Sequence, residues 1–317
     1  LTGQDRLMAG IELGGTKAIA LLARGRDVLA SARIPTTTPD ATLQAIGDRI
    51  EAWQSEHGRA HALGIASFGP LGLDRSRPDY GHITSTPKPG WRQTELVRHF
   101  GMRFGVPIGF DTDVAGAALA EHRWGAAQGC DVAIYMTIGT GVGGGIVVDG
   151  RPVHGLVHPE LGHLRVRRAT GDGFAGVCPF HGDCLEGLVS GPAIAARTGL
   201  DGASVGNDHA VWNDVMAELA EAMAMLLLTL SPRRIVIGGG VLQQRSSLFE
   251  RLRQRTAGLL GGYVAGIDED SLAALIVPPG LGAMAGPLGA IALAEDAWNG
   301  GGPVVAATAQ NPLQNHI

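Results

Sequence analysis

The sequence predicts an α/β fold, on three observations. Short apolar runs alternate with segments of helical spacing along most of the 317 residues, as strands interleaved with helices do. An apolar run that ends in a glycine turn and continues into a second run occurs twice, near residues 8–23 and again near 132–148. The chain is 45% hydrophobic and 17% charged, which supplies a large core, and its length favours two domains over one.

Met8 to Leu13 is a short apolar run ending in Gly14-Gly15-Thr16-Lys17, and Ala18 to Ala23 and Val28 to Ile34 read as the next two strands. Asp40 is the expected cap of a helix over Thr42 to Trp53. His61 to Ala66 returns to strand character. Residues 67–92 are rich in Gly, Pro, Ser and Thr, and so long a connection reads as functional or lid-like. Arg92 to Phe104 predicts a helix, Val106 to Phe110 a strand, and Thr112 to Trp124 an alanine-rich helix.

The second cycle opens with a strand over Val132 to Ile138 that ends in Gly139-Thr140-Gly141-Val142-Gly143-Gly144-Gly145, with Ile146 to Val148 as the next strand. Recurrence of a strand, a Thr-bearing glycine turn and a strand suggests two related nucleotide-handling halves. Residues 154–190 hold a His/Cys cluster and residues 208–230 a long helix. Ile235 to Ile237 is a strand ending in Gly238-Gly239-Gly240, a helix follows Arg245, and Ala283 to Ala297 is the last helix. The expected division is a small lobe over residues 8–112, joined by the last helix (283–297), and a larger lobe over 113–282. Residues 1–7 and 299–317 are expected to be flexible ends.

The formal net charge is −5, which gives no electrostatic preference for nucleic acid or an anionic membrane. The most apolar helical segment, Val215 to Leu230, carries Glu218 and Glu221 and is too short to span a bilayer. No basic-then-apolar leader is recognised, so a cytoplasmic location is expected. Three cysteines are too few for a disulfide framework. Cys130 reads as a small buried hydrophobe.

Two adjacent glycines in Gly14-Gly15-Thr16-Lys17 let backbone N–H groups converge on an anion, with the Thr16 hydroxyl and the Lys17 charge nearby. The spacing is not that of a Walker A loop, and taken alone the turn reads as a tight hairpin. Gly139-Thr140-Gly141 exposes backbone donors in the same way, with phosphate oxygens as the expected occupant. Gly238-Gly239-Gly240-Val241 suits close packing against adenine or ribose. Three such turns at strand ends favour a nucleotide.

Asp111-Thr112-Asp113 lies at a strand-to-helix junction. These residues either cap the helix or present a carboxylate that accepts a proton from an attacking hydroxyl, as phosphoryl transfer requires. His158-Pro159-Glu160-Leu161-Gly162-His163 and Cys178-Pro179-Phe180-His181-Gly182-Asp183-Cys184 are the sharpest signal. Cys178, His181 and Cys184 suit three ligands of one tetrahedral ion, zinc best, with His154, His158 or His163 as the fourth on spacing alone. Such a closed site staples a loop. Glu160 and Glu186 flank it and can accept hydrogen bonds from sugar hydroxyls.

With these segments, together with Gly10-Ile11-Glu12-Leu13-Gly14-Gly15-Thr16-Lys17, Thr84-Ser85-Thr86-Pro87-Lys88-Pro89-Gly90-Trp91, Asp111-Thr112-Asp113-Val114 and Leu185-Glu186-Gly187, residues 8–297 resemble the ROK family of repressors, open reading frames and sugar kinases. The bacterial fructokinase branch is nearest. The resemblance implies a two-lobed actin-like ATPase fold of the hexokinase type (ribonuclease H-like), with a cleft that closes on substrate. It implies ATP and Mg²⁺ as cofactors, a structural Zn²⁺ and a homodimer. Gly14, Gly15, Thr16 and Lys17, with Gly139, Thr140 and Gly141, match the two phosphate loops, and Gly239 and Gly240 match the adenosine region. Asp113 matches the catalytic base; Thr112, Glu160, His163 and Glu186 match the substrate side; His163, Cys178, His181 and Cys184 match the zinc ligands.

Glu12 and Thr112 stand where family glucokinases usually carry Asp and Asn, as they do in the fructokinase branch. Ala115 replaces an Asn usual in both branches, which removes a polar group near the sugar. Family repressors carry an N-terminal helix-turn-helix, for which no room is seen ahead of Gly14. The expected reaction is phosphorylation of fructose at its primary hydroxyl. The alternatives are a glucokinase or mannokinase of the same family, or a sugar-binding protein with impaired catalysis.

Overall fold

In the computed structural model, which describes residues 6–169, 171–243, 245–300 and 302, the apolar runs form two five-stranded sheets. Of the ends expected to be flexible, residues 1–5, 301 and 303–317 lie outside the described residues. Two compact units divide the chain. One is made of the residues up to Asp113 and those from Ala290 onward, the other of Val114–Gly289.

In the first unit, β1 (Leu7–Leu13), β2 (Lys17–Arg24) and β3 (Asp27–Pro35) form an antiparallel meander. Helix α1 (Pro39–His57) packs on β2 and β3 through Leu43, Ile46 and Ile50, one stripe at helical spacing. Asp40 was expected to cap this helix. It lies instead in the first turn, because the extended residue at the cap position is Thr38 and Pro39 opens the helix, where proline's fixed φ is favourable. β4 (Ala62–Ser67) runs parallel to β1. β5 (His82–Ile83) and β6 (Thr94–Glu95) form a small ladder, so α2 (Leu96–Phe104) begins four residues later than the sequence pattern suggests. β7 (Ile108–Thr112) completes the order β3-β2-β1-β4-β7.

The second unit carries α3 (Asp113–Trp124) from Val114 onward, then β8 (Val132–Ile138), β9 (Val142–Val148) and the short β10 (Arg151–Pro152). There follow α4 (Leu185–Val189), α5 (Gly191–Thr198), α6 (Val211–Leu230), β11 (Arg234–Gly238), α7 (Ser246–Leu260), α8 (Glu269–Leu275), β12 (Ile276–Val277) and α9 (Ala285–Gly300), the last crossing into the first unit at Ala290. Its sheet runs β10-β9-β8-β11-β12. β8 pairs antiparallel with β9 and parallel with β11. This is the order and sense of the first sheet, with the glycine turn on the same hairpin. Cys130 is buried in an apolar cluster with Tyr135 and Val236. Among the described residues, no helix is long and apolar enough to cross a membrane.

Glycines shape the first unit away from its turns. Gly10, Gly64 and Gly109 are in register across β1, β4 and β7. A Cβ on Gly64 would lie 1.7 Å from the Ala290 carbonyl oxygen, and one on Gly109 would lie 2.1 Å from that of Leu293. The row is a trough into which the C-terminal part of α9 sinks.

Two polar networks hold the second unit. Glu121 on α3 is fully buried and accepts backbone N–H bonds from Ala126 at 2.6 Å, Gly280 at 3.0 Å and Leu281 at 2.9 Å. Arg197 on α5 bonds Glu218 on α6 at 2.8 Å and Asp172 at 3.2 Å, and its guanidinium lies over the Phe174 ring at 4.3 Å. Burial pushes the Glu218 carboxyl up to about 7, with Arg197 opposing. Burial also works against the Asp172 charge, but hydrogen bonds from Arg168, the Phe174 N–H and Arg197 hold it at about 2. This network ties the segment around residues 168–174 to α5 and α6.

Candidate functional site

In the first unit, the candidate residues gather at the C-terminal ends of β1 and β7. The turn after β1 closes with the Gly14 N–H donating to Lys17 O at 3.0 Å. Thr36 buttresses it: its N–H donates to Thr16 O at 3.0 Å and its hydroxyl to Gly14 O at 2.8 Å. The Thr84–Trp91 segment supports Thr36 and Thr37, since the buried Trp91 indole donates to Thr37 O at 2.8 Å. Gly15, Thr16 and Lys17 are exposed. A Cβ on Gly15 would meet nothing within 4 Å, so packing does not require glycine there, and the opening suits close approach of a ligand.

Asp111 and Thr112 end β7 and are buried, and Asp113 opens α3, half-buried. The Thr112 N–H donates to Asp111 Oδ1 at 2.7 Å. Glu12 is in register with Ala66, and Ala66 with Asp111, across the parallel strands. Burial and the charge of Asp113 push the Glu12 carboxyl up to about 7, while Lys17 draws it down. In the sequence, Glu12 stands out only as a difference from the family glucokinases. A charged residue inside an otherwise apolar strand was the available signal.

In the second unit, Gly139, Thr140 and Gly141 form the turn between β8 and β9, closed by the Gly139 N–H on Gly141 O at 2.8 Å. Gly191, the first residue of α5, donates its N–H to Gly139 O at 2.7 Å, which sets a helix N-terminus beside the turn. Gly239 adopts φ +90°, and a Cβ there would lie 2.3 Å from Ile138 O, so only glycine fits this contact with the end of β8. At Gly139 and Gly240 a Cβ would meet nothing within 4 Å, leaving open space as at Gly15. The structure brings Gly139–Gly141, Gly239 and Glu186 together. Glu186 Oε2 accepts the Val142 N–H at 3.0 Å and lies against Gly141, where a Cβ would come within 2.7 Å.

The donor atoms of His163, Cys178, His181 and Cys184 all lie within 4.8 Å of one another. His163 Nδ1 is 3.5 Å from Cys184 Sγ and 3.8 Å from Cys178 Sγ, which is 3.7 Å from His181 Nδ1. The two sulfurs are buried, and burial pushes the Cys184 thiol up, with Cys178 beside it adding to the effect. Two sulfurs and two imidazoles converging this way can hold a metal ion. Of the three histidines that spacing allowed as fourth donor, His163 joins the group; among the described residues, His154 and His158 do not. A 3₁₀ turn over Leu161–His163 presents it. Glu160 precedes that turn, its side chain 44% exposed and 3.4 Å from His158 Nδ1.

The sequence profile described as ROK family matches residues 8–297. A fructokinase of Zymomonas mobilis is 44% identical over 304 residues, covering 94% of this chain and all of the relative. A fructokinase of Pediococcus pentosaceus is 40% identical over 294 residues, 92% of this chain and 98% of the relative. Among solved structures, a ROK hexokinase from Thermus thermophilus matches with TM-score 0.74 and 28% identity over 91% of this chain and 97% of its own. A ROK family glucokinase from Streptomyces griseus, in complex with glucose and AMPPNP, matches with TM-score 0.71 and 27% identity over 92% and 99%. The fold of these neighbours is the two-lobed actin-like sugar-kinase type that the resemblance implied.

Proposed function

The chain belongs to the ROK family, and from that membership we propose that it is an ATP-dependent hexose kinase that phosphorylates fructose at its primary hydroxyl. The observation that carries the reading is the Asp113 carboxylate at the β7–α3 junction, whose charge, like that of Lys17, acts on the buried Glu12. The choice of fructose rests on relatives 40–44% identical over most of the chain that are named fructokinases.

Asp113 accepts the proton of the primary hydroxyl as that oxygen attacks the γ-phosphorus of MgATP. The new O–P bond forms as the bond to ADP breaks, and the proton passes from Asp113 to solvent. Positioning and electrostatics supply the rate in such transfers. Backbone N–H groups of the Gly14–Lys17 and Gly139–Gly141 turns take the phosphates, and the open space at Gly15 and Gly139 supports that assignment. Gly239 and Gly240 flank the adenosine. Thr112, Glu160, His163 and Glu186 take the sugar hydroxyls.

The metal is zinc, in a structural role. Tetrahedral zinc with sulfur at about 2.3 Å and nitrogen at about 2.0–2.1 Å has S···N edges of about 3.6 Å. The S···N distances of 3.5, 3.7 and 3.8 Å fit it. His163, Cys178, His181 and Cys184 would hold the ion with four protein donors, so a bound zinc would fix the loop and leave no position for an activated water. The chain acts in the cytoplasm as a homodimer.

A panel of hexoses with MgATP, read as ADP release, tests this. Fructose is expected to give the highest kcat/KM. Rapid turnover of glucose with none of fructose would overturn the substrate, and no sugar-dependent ADP release would overturn the activity.

A further inference from the structure

Val142, the residue after the Gly139–Gly141 turn, is gripped by its backbone on two sides. Its N–H is taken by Glu186 Oε2 at 3.0 Å. Its carbonyl oxygen faces Gly162, where a Cβ would lie only 1.9 Å away. Gly162 adjoins His163, and Glu186 follows Cys184 by two residues, so both grips come from segments that carry the donor cluster. The first turn of α4, which bears Glu186, is packed on the same loop. A Cβ on Gly187 would lie 1.9 Å from Gly182 O, and the Val177 N–H donates to Gly187 O at 3.0 Å.

A hydrogen bond to a carboxylate is stronger than one between neutral groups, and Val142 is buried, so losing the acceptor leaves a donor without its partner. The geometry points to Glu186 as a positioning residue that holds the Gly139–Gly141 turn in the shape that receives nucleotide phosphates. Oε2 serves the turn, which on the kinase reading leaves Oε1 for a sugar hydroxyl. One carboxylate thereby ties the sugar side of the second unit to its phosphate turn. This rests on the kinase reading, and the test separates the two.

MgAMPPNP binding is measured by calorimetry without sugar on the zinc-loaded protein. Glu186→Ala should weaken it at least about tenfold, the loss expected for one charge-assisted hydrogen bond. Glu186→Gln, whose amide oxygen can still accept the Val142 N–H, should stay within about threefold of the parent. Glu186→Asp keeps the charge but withdraws the oxygen by one methylene; it should weaken binding like alanine, and it carries the test should the alanine variant fail to fold. Hydrogen exchange at Val142 should quicken in the alanine and aspartate variants before any nucleotide is added. Parent-like binding and exchange in both would overturn the inference, as would a Gln variant as weak as Ala. Failure of the parent itself to bind MgAMPPNP would overturn the kinase reading and this inference with it.

Discussion

Glu12 lies in the field of Asp113, and burial together with that negative charge pushes its carboxyl from 4.5 up to about 7, against the pull of Lys17. A carboxyl raised on folding binds its proton more tightly in the native state than in the unfolded one. Its ionisation therefore destabilises the fold: the cost is absent below the unfolded value and complete above the folded one. Glu218 acts in the same direction, so the two effects must be separated by mutation. Relative to the parent, Glu12→Gln should gain stability as pH rises from about 4.5 to about 7, by up to roughly 3 kcal/mol. Denaturation curves at a series of pH values check it, and parallel curves for the two proteins would refute it.

The convergence of His163, Cys178, His181 and Cys184, read as a zinc site, leads to a direct expectation. Protein purified without added metal should carry about one zinc per chain, and a chelator that strips it should lower the thermal midpoint, because metal-binding free energy is also folding free energy. Cys184→Ser should lose the metal under the same conditions. A stable, active protein with almost no metal would show that no ion staples this loop.

Glu121→Ala should be among the more damaging substitutions in the second unit. It removes the acceptor of three backbone N–H groups, those of Ala126, Gly280 and Leu281. The three donors belong to the half-buried Ala126 and Leu281 and the exposed Gly280, which water can partly serve, so the variant should lose about 1–3 kcal/mol. A thermal midpoint within about 2 °C of the parent would show that these donors find other partners.

The alternation of strands and helices was legible because burial imposes it on short windows of sequence. So was the order of strand, glycine turn and strand, which recurs as two sheets of the same topology. The convergence of four His and Cys donors was partly legible: three sit in one short loop, but spacing alone could not choose among His154, His158 and His163. The trough of Gly10, Gly64 and Gly109 was not legible, because its members lie on three strands and meet only through register. Glu121 and Glu186 look alike in sequence. One is a fully buried peg for three N–H groups and the other is half-buried against a turn. Only the partners distinguish them, and those are as far as 160 residues away for Glu121. Asp40 went the other way: the sequence offered a good capping side chain, and Pro39 one residue earlier placed the helix start ahead of it.

Transfer of the sugar hydroxyl proton to Asp113 is the step on which the proposed reaction turns. Its most direct test is the turnover of Asp113→Asn with fructose and MgATP, alongside the zinc content and thermal midpoint of the same preparation. A fall in kcat on the order of 10²-fold or more is expected, with metal content and folding unchanged. A folded, zinc-loaded variant that turns over at close to the parent rate would contradict it.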